Sequence, residues 1–115
     1  RLRFEPQAPV FEGPVFVVIS QRSASATEIA ADALRASGRA RLVGETTLGR
    51  VLSGSMFGLV DGFAVMLPVA DYTSTASGLL EGSGVAPDIP VPAAEALDRA
   101  KAMAFEAVAK PTVPR

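Results

Sequence analysis

The stretch Ser25-Ala26-Thr27-Glu28, leading into an alanine-rich run, offers one hydroxyl two kinds of work. A serine three residues before a glutamate at the head of an apolar periodic segment is a capping box. Its side chain satisfies an orphan helix N–H, and the glutamate reaches back to the serine amide. The same serine also stands at the positive end of the helix dipole, where backbone amides could receive the negative oxygen that develops during acyl transfer. A hydroxyl committed to capping is not free to attack, so the two readings compete. Capping contributes only ~1 kcal/mol and can pass to Ser23 or to the backbone, which leaves room for Ser25 as a nucleophile.

The partners such a nucleophile would need are scarce. With no histidine, a Ser-His-Asp triad cannot be completed within these 115 residues. With no cysteine, a disulfide framework, a cysteine zinc site and a thiol nucleophile are all excluded. Lys101 and Lys110 are the only lysines, both far along the chain from Ser25. Arg50 is too basic to accept a proton, but its planar fork of donors suits a substrate carboxylate. No metal-ligating cluster is visible, and "GSGVAP" lacks the helix and lysine of a phosphate-cradling loop, so neither metal nor cofactor is expected.

Eleven basic and twelve acidic residues are interspersed to give a net charge of −1, which argues against nucleic acid or an anionic membrane surface as partner. Apolar stretches such as that around Val15 to Ile19 are far short of the roughly 20 residues of a membrane span. No basic region followed by an apolar core and cleavage site opens the sequence, so the residues leave the compartment open. A chain of this length starting at Arg1 reads as one domain or part of a larger one.

Several elements must position Ser25. Residues 1–12, with two prolines, read as an extended arm. "GPVFVVIS" is a β-branched apolar run that predicts a strand buried on both faces, as in a covered parallel sheet. A helix follows, its stripe expected at Ile29, Ala30, Ala33, Leu34 and Ser37, with a stop at Gly38. "ARLVG" predicts a second strand, completing a βαβ unit. "VLSGSMFGLV" and "FAVMLPVADY" flank Asp61-Gly62 and predict a hairpin. A glycine- and proline-rich loop ends in a short extended piece at Ile89 to Val91, with Asp88 pinning a turn. The last helix is expected over residues 93–109, with Leu97, Ala100, Ala104 and Val108 as its stripe. Glu95/Arg99 and Glu106/Lys110 would pair along it, and Pro111 would end it.

Three loops could then meet at one sheet edge: the end of the first strand with Ser23, Ser25 and Glu28; "GETTLGR"; and "LLEGSGVAPD". "GPVFVVISQRSASATEIAADALRASGRARLVGETTLGR", "DGFAVMLPVADY" and "GSGVAPDIPVP", in this order, resemble the carboxyl-terminal processing (tail-specific) serine peptidases from about Gly13 to Pro92. The resemblance implies an α/β domain of the Clp protease and crotonase fold, here a partial one: peptidase residues 13–92, then a terminal helix and tail, 93–115. It implies a protein or peptide substrate, Ser25 as nucleophile and the Ala26 N–H as one oxyanion donor. The second donor, the rest of the catalytic domain and a PDZ module would lie upstream. It tilts the expected location toward a bacterial envelope and leaves the oligomeric state open.

One departure from the family pattern stands out. The commonest mechanism uses a lysine in a Gly-Lys-Gly run as base, but here the run is Gly49-Arg50-Val51, and the glutamine expected four positions on is Gly54. The resemblance leaves two alternatives. In a tricorn-like arrangement, a histidine and a second serine come from upstream and Glu81 is the glutamate. Alternatively, the protein is a non-catalytic binding module on the same fold. A crotonase-like acyl-thioester enzyme is a third, weaker idea. Candidate substrate contacts are Arg50, Gly49 (where a peptide backbone could approach closely) and Ser23.

Overall fold

The computed structural model describes residues 7–109. The expected βαβ unit is present. β1 (Phe16–Ile19) lies parallel to β2 (Arg41–Gly44), with Phe16 opposite Arg41 and Ile19 opposite Gly44. The crossover between them is α1 (Ala26–Ala36). Beyond β2 lies β7 (Ile89–Pro90), also parallel, giving the order β1-β2-β7. Asp88 locks that edge in place: its carboxylate accepts the Leu42 N–H at 2.7 Å and its own N–H reaches the Leu42 carbonyl at 2.9 Å.

Alternating strand residues feed two cores. Ile19, Ala31, Leu42, Val51, Leu80 and Val85 pack on the α1 face, with Val17 beside them. Val43, Ala96 and Ala100 pack on the other face under α2 (Ala93–Ala109), joined by Phe16 and Met103. Each buried Val, Leu or Ile contributes about 1.5–3 kcal/mol. The sheet is thus covered on both sides, as a parallel sheet requires. The cover is incomplete over β1, where Val18 is 40% exposed.

Both expected helix stripes are displaced. In α1 the buried residues are Glu28, Ala31 and Asp32, while Ala33, Leu34 and Ser37 are exposed. Two carboxylates occupy the inward face, Glu28 with both oxygens hydrogen-bonded and Asp32 through Oδ1, its Oδ2 being buried without a partner among the described residues; hydrophobic periodicity ignores such placement. In α2 the buried pair is Ala96 and Ala100. Leu97 and Val108 are 54% and 74% exposed, since only alanine lets the helix approach β1 and β2 closely. The ion pair found on α2 is Lys101 with Asp98 at 3.9 Å; Glu95/Arg99 is not among the described pairs. Lys110 and Pro111 lie outside the described residues, as does the first half of the 1–12 arm. Residues 7–15 carry no helix or strand, and Arg39 fastens them through the Phe11 and Gly13 carbonyls at 2.6 and 2.9 Å.

The predicted hairpin forms from β3 (Ser53–Gly58) and β4 (Ala64–Ala70), antiparallel, with Met56 opposite Met66. Asp61 and Gly62 both have positive φ (58° and 78°), the geometry a two-residue turn needs to follow strand twist. A smaller ladder, β5 (Thr73–Ser74) with β6 (Gly78–Leu79), precedes the loop that carries Glu81.

Candidate active site

After β1 the chain turns tightly. Ser23 N–H donates to the Ser20 carbonyl at 2.9 Å, and Ser23 Oγ accepts the Ser20 N–H at 3.1 Å. The chain then enters α1 through Ser25, whose backbone is left-handed at φ 59°, ψ −129°. A non-glycine residue in such a region stores about 1–3 kcal/mol of strain and persists only where its surroundings over-determine it. Four contacts do so. Ser25 N–H donates to the Arg50 carbonyl at 2.8 Å and to Glu28 Oε2 at 3.0 Å, and the Ser25 carbonyl accepts the Glu28 and Ile29 N–H groups at 2.9 and 3.3 Å.

That arrangement resolves the competition over the Ser25 hydroxyl. Serine and glutamate do pair as a capping box, but the Glu28 amide spends its bond on the Ser25 carbonyl, and the hydroxyl takes no cap hydrogen bond. Ser25 is exposed, and among the described residues the neighbouring Ala26 N–H has no acceptor. The Ser25 carbonyl and the Glu28 carboxylate, not the Ser25 hydroxyl, hold the start of this helix.

Glu28 does more than cap. It is fully buried, and besides Ser25 it accepts the Thr47 hydroxyl at 2.5 Å, Gly49 N–H at 2.7 Å and Arg50 N–H at 2.8 Å. It therefore bolts the "GETTLGR" loop to the Ser25 turn. Burial pushes its carboxyl pKa up, but the bonds from Thr47, Arg50, Gly49 and Ser25 outweigh burial and hold it below its ordinary 4.5. Asp32 is similar: burial raises it, while Ser74, Ser77 and Arg35 together bring it below 3.8. Asp32 Oδ1 accepts the Ser77 hydroxyl and Arg35 Nη2, and Arg35 Nη1 reaches the Ala86 carbonyl at 2.7 Å. Thus α1 carries polar groups at positions 28, 32 and 35 on one face, each anchoring a different loop.

Because both carboxyls have lowered folded pKa values, the unfolded chain binds more protons in the acid range. Their stabilisation is complete above the unfolded values of 4.5 and 3.8 and is lost as pH falls through the folded ones. The urea midpoint is therefore expected to hold near neutrality and fall below about pH 5. Glu28→Gln, already weaker at pH 7, should show a flatter fall; an equally steep one would assign the acid sensitivity to other groups.

The third loop joins the other two. Gly82 N–H donates to the Gly49 carbonyl at 2.9 Å, Thr47 N–H to the Val85 carbonyl at 3.1 Å, and Val85 N–H to Thr47 Oγ1 at 2.7 Å. This zipping depends on Gly49 and Gly84, both at positive φ; a Cβ on Gly84 would stand 2.5 Å from the Thr47 carbonyl. Gly49 is buried, its N–H donating to Glu28 and its carbonyl accepting from Gly82, so it sets the contact between the loops. Glu81 is half-buried, and its Oε2 accepts the Val51 and Leu52 N–H groups at 2.7 and 3.2 Å. No hydrogen bond links Glu81 to Ser25 among the described residues. Arg50 is exposed and in no ion pair among those described. Lys101 lies across the sheet on α2, away from this edge.

The structure thus brings Ser23, Ser25, Ala26, Gly49, Arg50 and Glu81 to one edge, past the carboxyl end of β1. The sequence reading missed Thr47 and the Asp32–Arg35 anchor; their signal was the recurrence of polar residues at positions 28, 32 and 35 in an alanine-rich helix. An opening of about 600 Å³ between residues 44–46 and 86–92 is lined by neither Ser25 nor any residue hydrogen-bonded to it. Among the described residues no group of acidic, histidine or cysteine side chains could hold a metal, and no helix is long and apolar enough to cross a membrane.

An uncapped serine on a strained strand-to-helix turn beside a free helix amide has the geometry that serine hydrolases on α/β scaffolds use for attack. The pattern of peptidase family S41 matches residues 2–91, and the chain belongs to that family. It is 42% identical over 84 residues to a carboxyl-terminal-processing protease of Picosynechococcus, covering 73% of this chain and 20% of the relative. It is 38% identical over 80 residues to the chloroplastic carboxyl-terminal-processing peptidase 1 of Arabidopsis thaliana, covering 70% and 16%. The chain therefore spans a fifth or less of these curated relatives. Among solved structures, it superposes on a photosystem II D1 C-terminal processing protease with TM-score 0.64 and 33% identity, over 75% of this chain and 24% of that one. The tricorn protease shares the fold, with TM-score 0.69 at 20% identity over 84% and 11% of the two chains. The α/β, Clp-protease-like partial domain expected from the sequence is the fold observed.

Proposed function

We propose that this chain is the nucleophile-bearing part of a serine peptidase that cleaves protein or peptide substrates by acyl transfer. Ser25 Oγ attacks the scissile carbonyl and its proton passes to a base supplied by the larger protein. The oxyanion is received by the Ala26 N–H and a second donor from outside this chain, and the acyl-enzyme forms as the amine leaves with the proton. Water then releases the acyl group by the reverse transfers. Glu81 orients the base, Arg50 faces the substrate, and a PDZ module belongs to the upstream part. The 115-residue chain alone is inactive on this reading, because base and second donor are missing.

The observation that carries the proposal is the exposed, uncapped Ser25 hydroxyl beside the unoccupied Ala26 amide. Arg50 in the place of a basic lysine favours a second reading, a catalytically silent binding module. Covalent labelling of the full-length protein by a fluorophosphonate separates the two. The peptidase labels in the wild type and not in Ser25→Ala; a wild type that stays unlabelled leaves the binding module.

A further inference from the structure

We propose that the hollow at the base of the β3–β4 hairpin is a subsite for an apolar side chain of the substrate, one or two residues from the scissile bond. The inference rests on the peptidase reading above. The hollow measures about 340 Å³ and is lined by Arg50, Leu52, Gly54, Met66, Pro68 and Glu81. It begins at the nucleophile turn, since the Arg50 carbonyl accepts the Ser25 N–H at 2.8 Å. An extended peptide advances ~3.4 Å per residue, so a side chain close to the bond cut at Ser25 reaches it.

Its walls are exposed apolar groups, Leu52 at 42% and Met66 at 64%. The missing side chain of Gly54 keeps it open: a Cβ there would stand 3.0 Å from Met66 Cγ and 3.2 Å from its sulfur. The rim carries one cation and one anion of matching use. Arg50 is in no ion pair, and Glu81 Oε1, unlike Oε2, accepts no hydrogen bond among the described residues. The donor fork complements a carbonyl of an extended peptide, and Glu81 Oε1 is the oxygen left to face the base. Their opposite charges cancel over the hollow, so it favours a neutral, apolar occupant over a charged one.

The test uses the full-length protein, peptides differing only at the residues beside the scissile bond (Ala, Leu or Phe), and Gly54→Leu. The wild type should prefer Leu over Ala by about tenfold or more in kcat/KM, as one buried aliphatic side chain allows. Gly54→Leu fills the hollow at the expense only of the movable Met66 side chain. It should abolish that preference while the Ala peptide and the fluorophosphonate labelling rate stay within about twofold. Met66→Ala should move the preference toward Phe. If Gly54→Leu keeps the wild-type preference, or slows Ala and Leu peptides alike with labelling intact, the subsite is overturned and the peptidase reading stands. Absence of labelling in the wild type overturns both.

Discussion

Glu28→Ala should destabilise the fold more than any other substitution considered, by at least about 3 kcal/mol. It removes a fully buried carboxylate that accepts four donors: Ser25 N–H, the Thr47 hydroxyl, Gly49 N–H and Arg50 N–H. Each buried donor left without a partner costs about 1–3 kcal/mol, less where water enters. Against the ~5–15 kcal/mol of a typical domain, this is a large share. The damage should be local before it is global, because these bonds tie the Ser25 turn to the loop of residues 47–50. Urea denaturation measures the total, and amide exchange at Gly49 and Arg50 measures the local part. A loss under about 1 kcal/mol would mean that the loops are held by their own backbone zipping and that Glu28 is dispensable.

The second large effect concerns Ser25 and separates chemistry from strain. On the proposed mechanism both Ser25→Ala and Ser25→Gly in the full-length protein lose about 10⁴-fold or more of peptide hydrolysis, the scale on which a nucleophile is missed. Their stabilities should part. Alanine keeps a Cβ at φ 59°, whereas glycine adopts that region freely and is also the better helix N-cap. Ser25→Gly should therefore be more stable than Ser25→Ala by about 1 kcal/mol and should exceed the wild type as well. An alanine variant as stable as the glycine one would show that the turn carries no strain.

Much of the scaffold was legible because short-range rules are strong here. A β-branched run between Gly-Pro and polar residues marks a strand, although in β1 only Ile19 is buried, and Asp61-Gly62 supplies the positive φ values a tight hairpin needs. The helix faces were misread for a physical reason. Hydrophobic periodicity counts alanine and leucine as core and carboxylates as surface, yet Glu28 and Asp32 point inward and Leu34 and Leu97 outward. A buried carboxylate is tolerable only if its hydrogen-bond donors are present. Beside the local donors Ser25 N–H and Arg35, the remaining ones come from residues 47–50 and 77, which no local window contains.

By itself the sequence determined the order of the main elements, the lack of histidine and cysteine within these 115 residues, and the choice of Ser25 as the residue to watch. All of these are matters of composition and local pattern. Only the tertiary structure decided that the Ser25 hydroxyl is uncapped, that Glu28 is a bolt between loops, and that Gly49 joins the loops through Glu28 and Gly82. Each of those turns on which donor meets which acceptor across 20 to 40 residues of chain. Such pairing depends on how the packed sheet, α1 and the glycine-bearing loops fit together, a fit that residue types and spacing constrain but do not state.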